Sequence, residues 1–177
     1  MKILKLIIDI LLLIVTFLLV NMDITGHLYH EILGIAMVIL LLVHIVANWN
    51  WVKSVTKNFK KVNKKTKAMY ITNALTMIIY CMAIVFGIII SHELFKFETS
   101  SNYKLVITHI ILGRLAIVIM LLHLGVNLDI IFKKVKSKKI KKVIYIIYII
   151  IAILISYYSI YTLIHSFQWM MAFGMPN

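Results

Sequence analysis

The chain has 177 residues, 63% of them hydrophobic, with a mean hydropathy of +1.00 and a formal net charge of +13. A composition this apolar excludes an ordinary water-soluble domain and makes the bilayer the solvent. The charge alone would suit nucleic acid, but the lysines cluster in short runs between long apolar stretches, which argues against a nucleic-acid surface.

Five apolar stretches follow in chain order: Ile3–Val20, Ile32–Val52, Met69–Ser91, Leu105–Phe132 and Ile144–Ile164. Each is near or above the roughly 20 residues that span a hydrocarbon core. The single proline, Pro176, interrupts none of them. The expectation is an all-α integral membrane protein of five transmembrane helices. Lys2 and Lys5 before the first stretch imitate a secretory signal, but no small-residue cleavage pattern follows, so it reads as a retained helix.

Lysines gather at Lys2 and Lys5, from Lys53 to Lys67, and from Lys133 to Lys142. With five spans these groups share one side, while only Lys96 and Lys104, along with Asp23, Glu31, Glu93 and Glu98, fall on the other. The bias places the N-terminus and both basic loops in the cytoplasm and the C-terminus outside, with the loops contacting anionic lipids. Trp49 and Trp51 fit the inner aromatic belt and Trp169 the outer one. Cys81 is the sole cysteine, so there is no internal disulfide and no C-x-x-C-H attachment; any haem would be b-type.

Four histidines carry the strongest chemical signal. His30 and His44 are 14 positions apart in the second stretch, and His109 and His123 are 14 apart in the fourth. That step turns a helix by about 1400° and climbs about 21 Å, so each pair shares one face with a member near each side of the bilayer. The pattern H-x-I-L-G-x9-H-x3-N occurs in both stretches, offset by 79 residues, and takes in Gly34, Gly113, Asn48 and Asn127. Both stretches run from outside to inside in the expected topology. His30 then meets His109 in depth near the outer face, and His44 meets His123 near the inner one. Neutral imidazole is an axial ligand of haem iron, and intramembrane polar groups are costly enough to be mostly functional. The expected ligand pairs are His30 with His109 and His44 with His123, holding two b haems.

Other residues keep two readings each. Gly34 and Gly113, one turn after the outer histidines, leave room for a flat macrocycle or allow close helix packing. Arg114, the only arginine, pairs with a haem propionate, Glu31 or Glu93, or else snorkels to the outer interface. Asp9 forms an ion pair with Lys5 one turn away, or belongs to a proton path or quinone contact. His27, His92 and His165 gather as a metal or quinone site or supply an alternative ligand, or are simply interfacial.

The segment from Leu19 to Trp51 resembles the flavinylation-associated cytochrome family, a small bacterial relative of cytochrome b and ferric-reductase-like membrane domains. Thr25-Gly26, His30-Glu31, Gly34, His44 and the Trp49/Trp51 pair carry the likeness, and His109, Gly113 and His123 extend it into the second half. The resemblance implies a cytochrome b-like four-helix haem-binding bundle over residues 1–132. Residues 133–177 add a basic loop, a fifth helix and a short tail. It further implies the bacterial cytoplasmic membrane and an external FMN-bearing flavoprotein as electron acceptor. The donor would be membrane quinol or an inner-side partner.

No Gly-rich phosphate loop, Rossmann fingerprint or nucleophile elbow is present, so the chain reads as an electron-transfer subunit without a catalytic domain of its own. Two rivals remain. A transporter or metal-ion channel would line its path with the same histidines, and a haem-free assembly subunit would use helix five and the basic loops for docking.

Overall fold

A computed structural model describes residues 2–97, 102–131 and 136–172. Glu98, Phe132, Lys133 and Lys134 lie outside the described residues, as do the side chains of Asp23 and Trp169. The chain forms α1 (Lys2–Val20), α2 (Met22–Lys57), α3 (Lys64–Ile89), α4 (Tyr103–Ile131) and α5 (Lys138–Ala172). All five are long and apolar enough to cross a membrane, and the described residues contain no strand. The protein is an all-α, multi-pass membrane protein.

Local chemistry sets the helix ends. Asn63 Oδ1 accepts from the Thr66 N–H (2.8 Å) to start α3, and Asn102 Oδ1 accepts from Lys104 N–H (3.1 Å) to start α4. The Ser137 hydroxyl accepts from Ile140 N–H (3.4 Å) at the start of α5. Only Asn21 separates α1 from α2, and its amide donates to Phe17 O (2.7 Å), closing the first helix.

The second helix begins ten residues before the apolar stretch at Ile32, because the chain turns at Asn21 and again at Gly26. Gly26 has φ 71° and ψ 169°, a conformation essentially reserved for glycine, and it kinks α2 just before His30. The fifth helix also outruns its apolar stretch at both ends. The lysines at its start are good helix formers and carry the helix beyond the hydrocarbon.

The chain divides into two compact units. The first holds 1–62 and 81–109, that is α1, α2, the end of α3 and the start of α4; the second holds 63–80 and 110–177. In the first, α1 packs antiparallel on α2: Lys5 meets Asn48 and Asp9 meets His44, positions that sum to 53 in both cases. Met37 is its most enclosed large side chain, at 1% exposure. In the second, Leu112, Ile117 and Leu121 of α4 are buried, and Ser159 of α5 donates to Arg114 O (3.3 Å).

The outward faces are apolar, with Ile3 75%, Val46 74% and Ile153 62% exposed. In water each such side chain would forgo about 1.5–3 kcal/mol of burial, whereas hydrocarbon solvates it without that loss.

Candidate functional site

The kink at Gly26 leads α2 directly into His30, and α3 and α4 bring His109 to the same place in the first unit. The two imidazole centroids are 5.9 Å apart with ring planes at 82°. Both rings are partly buried.

The tautomer of His109 follows from its partner. Its Nδ1 lies 2.9 Å from the carbonyl oxygen of Ala83, which can only accept, so Nδ1 carries the proton and Nε2 keeps its lone pair. This is the form that binds iron, and a backbone acceptor behind the ring fixes its orientation. One turn further along α3, Gly87 makes the space: a Cβ there would come within 2.9 Å of His109 Cε1. His30 has a buried Nδ1 with no hydrogen-bond partner among the described residues.

Glu31 fixes the neighbouring turn. Its carboxylate accepts from Ser91 Oγ (2.6 Å) and from the backbone N–H groups of His92 (2.8 Å), Glu93 (3.1 Å) and Leu94 (2.8 Å). The Ser91 hydroxyl in turn accepts from Phe95 N–H (3.1 Å). One charged side chain on α2 thus satisfies the run of donors that follows α3, and charge-assisted bonds of this kind are about twice as strong as neutral ones. This anchor stands one residue from His30.

His44 sits at the other end of the first unit. Its Nδ1 is 2.8 Å from Asp9 Oδ1, and Lys5 Nζ donates to Asn48 Oδ1 (3.0 Å). The expected Asp9–Lys5 ion pair is therefore replaced by two contacts from α1 to α2, because the antiparallel register offers both side chains a partner on the facing helix. Asn48 Nδ2 donates to His44 O (3.0 Å), and Asn127 Nδ2 donates to His123 O (2.7 Å). The repeated H-x3-N thus builds the same local bond in both halves.

His123 belongs to the second unit and His44 to the first. Around His123, α5 is seated on α4: the Tyr148 hydroxyl donates to Leu121 O, and Gly125 faces the ring, where a Cβ would lie 3.1 Å from Tyr148 Cε1. Arg114 is partly buried on α4. A Cβ built at Gly34 or Gly113 meets nothing within 4 Å, so neither glycine is demanded by tight helix packing among the described residues. His27, His92 and His165 are exposed, and the ring of His165 lies 6.2 Å from that of Tyr161.

Among the described residues no group of three or more His, Cys, Asp or Glu side chains gathers as a metal cage, and protein-bound zinc normally takes three or four such ligands. A haem brings its own four in-plane nitrogens and asks only for axial donors. His30 and His109 are the two imidazoles that the described residues bring together, and His109 keeps an unprotonated Nε2.

Three signals were available in the sequence but not decisive there. Ala83-x3-Gly87 is a small-residue pair at helical spacing, Glu31 is an acid beside a candidate ligand, and Asp9 is an acid within an apolar helix. No family model, curated protein or solved structure matches the chain.

Proposed function

We propose that the protein is a di-haem b-type membrane cytochrome that transfers electrons across the bacterial cytoplasmic membrane. The observation that carries this reading is the facing pair of His30 and His109, 5.9 Å apart, with the Nε2 lone pair of His109 left available by its bond to Ala83 O. The second pair, His44 with His123, is supported by the repeated H-x-I-L-G-x9-H-x3-N pattern and by the same Asn-to-His carbonyl bond after each.

A bound haem would supply the one-electron chemistry. His30 and His109 would hold one group and His44 and His123 the other. The Ala83 carbonyl keeps the His109 ring in its ligating tautomer, Gly87 leaves it room, and Glu31 closes the turn beside the first site. Gly34, one turn from His30, and Gly113, one turn from His109, would leave room for a flat ring. The guanidinium of Arg114 is a donor for a haem propionate.

The lysine distribution supports a cytoplasmic N-terminus and an external C-terminus, which makes the His30 end the outer one. The likeness to flavinylation-associated cytochromes supports quinol or an inner-side donor and an external flavoprotein acceptor.

A dithionite-reduced minus oxidised absorption spectrum of the purified chain, with a pyridine haemochrome count, tests the reading. Sharp b-type bands and close to two haems per chain are expected. A chain expressed with ample haem that carries none would rule the proposal out.

A further inference from the structure

The second helix does not stop where its apolar residues do. The apolar stretch ends at Val52, but α2 continues to Lys57, and the chain then turns at Asn58. The Asn58 N–H and side-chain amide both donate to Ser54 O (3.2 and 3.0 Å). The Asn58 carbonyl accepts in turn from Lys61 N–H (2.8 Å) and Val62 N–H (3.2 Å). The extension is therefore a hydrogen-bonded hook. Val55 is buried and Phe59 and Val62 are partly buried, which seats the hook on the first unit. Lys53, Lys57, Lys60 and Lys61 are all left exposed.

These four ammonium groups begin at the depth of lipid phosphate. Lys53 and Lys57 are one helical turn apart, about 6 Å along the axis. The headgroup layer of each leaflet is about 5–7 Å thick, so the pair spans it from the apolar limit at Val52 outward. Trp49, half-exposed and one turn before Lys53, stands at that limit as interfacial aromatics do. From Ile32 to His92 the chain has no Asp or Glu, so the segment brings no carboxylate of its own. Elsewhere in the unit, Asp9 lies 2.8 Å from His44 Nδ1, and Glu31 accepts from the turn after α3. Glu31 is also 22 residues, or roughly 33 Å, up α2 from Lys53. A soluble polyanion would have to enter the headgroup layer to reach Lys53, whereas lipid phosphate is already there.

We propose that Lys53, Lys57, Lys60 and Lys61 form a binding site for the phosphate of an anionic phospholipid headgroup. Each ammonium is a compact charge with three rotatable donors, which suits phosphate oxygens. The hook orders the four cations before the lipid arrives, so binding loses little conformational freedom. A lysine near an anionic membrane surface strengthens attachment about fivefold, and a zwitterionic headgroup does not gain this. The site is independent of the haem reading, since it requires only the membrane and the end of α2.

The test is native mass spectrometry of the full-length protein in neutral detergent, titrated with phosphatidylglycerol or with phosphatidylcholine of the same acyl chains. The wild type should bind phosphatidylglycerol about 10- to 100-fold more tightly. Equal affinity for the two lipids would overturn the proposal, whatever the variants do. Replacing Lys53, Lys57, Lys60 and Lys61 together by Gln should reduce phosphatidylglycerol binding to the phosphatidylcholine level, and replacing the same four by Arg should preserve it. A control with Lys138, Lys139, Lys141 and Lys142 replaced by Gln removes the same charge from the start of α5 and should keep most of the preference. Equal losses in the two Gln variants would show a diffuse charge effect and overturn the site. Displacement of the lipid by equimolar inorganic phosphate or a short single-stranded oligonucleotide would make the ligand a soluble polyanion and overturn it as well.

Discussion

The two ends of the first unit hold histidines by opposite means. At the His30 end the ring of His109 is held by backbone and by missing side-chain volume, through the Ala83 carbonyl and Gly87. At the His44 end the ring is held by side chains alone, in the chain Lys5–Asn48–His44–Asp9. The His109 ring has its Nδ1 against a backbone carbonyl, whereas the His44 ring lies between the Asp9 carboxyl group at Nδ1 and the Asn48 amide near Nε2. The difference teaches that two histidines of one repeated sequence pattern can be held in two different polar settings.

The largest effect expected is loss of one site without the other. His30→Ala or His109→Ala should remove one haem equivalent per chain and spare the second, and His44→Ala or His123→Ala should do the reverse; haem counts and difference spectra read this directly. If all four variants keep both haems, the pairing is broken. Next comes Gly87→Leu, which should force the His109 ring off Ala83 and empty only the His30 site, since even a Cβ would meet the ring at 2.9 Å. A variant with both haems and an unaltered spectrum would contradict the steric account.

Glu31→Gln should follow, because an amide has one acceptor oxygen, whereas the two carboxylate oxygens accept from four donors. A loss of about 2 kcal/mol in unfolding free energy is expected, with faster amide exchange confined to residues 91–95. Smallest is Ser91→Ala, which removes a 2.6 Å bond to Glu31 and should cost about 1 kcal/mol. Its haem content should stay at the wild-type value. Equal exchange rates in Glu31→Gln and wild type would show that Glu31 does not anchor the turn.

Much of the architecture was legible because hydropathy and length decide it: five uninterrupted apolar stretches became five helices. The equal 14-residue spacings also led to His30 and His109, which the fold brings together. What escaped was contact across helices. The i, i+4 rule offered Lys5 to Asp9, but antiparallel register gave Asp9 to His44 and Lys5 to Asn48. The partners of Glu31 are mainly backbone N–H groups, which carry no residue identity for a sequence to reveal. The start of α2 at Met22 was hidden because a single residue, Asn21, suffices to turn the chain and Gly26 absorbs the bend.

Low-temperature electron paramagnetic resonance of the oxidised, full-length protein tests the central claim most directly, since it reports the axial ligands of ferric haem. Two imidazoles on each iron should give only low-spin ferric signals, from two species in equal amounts. A high-spin ferric signal, or no haem iron at all, would contradict the account.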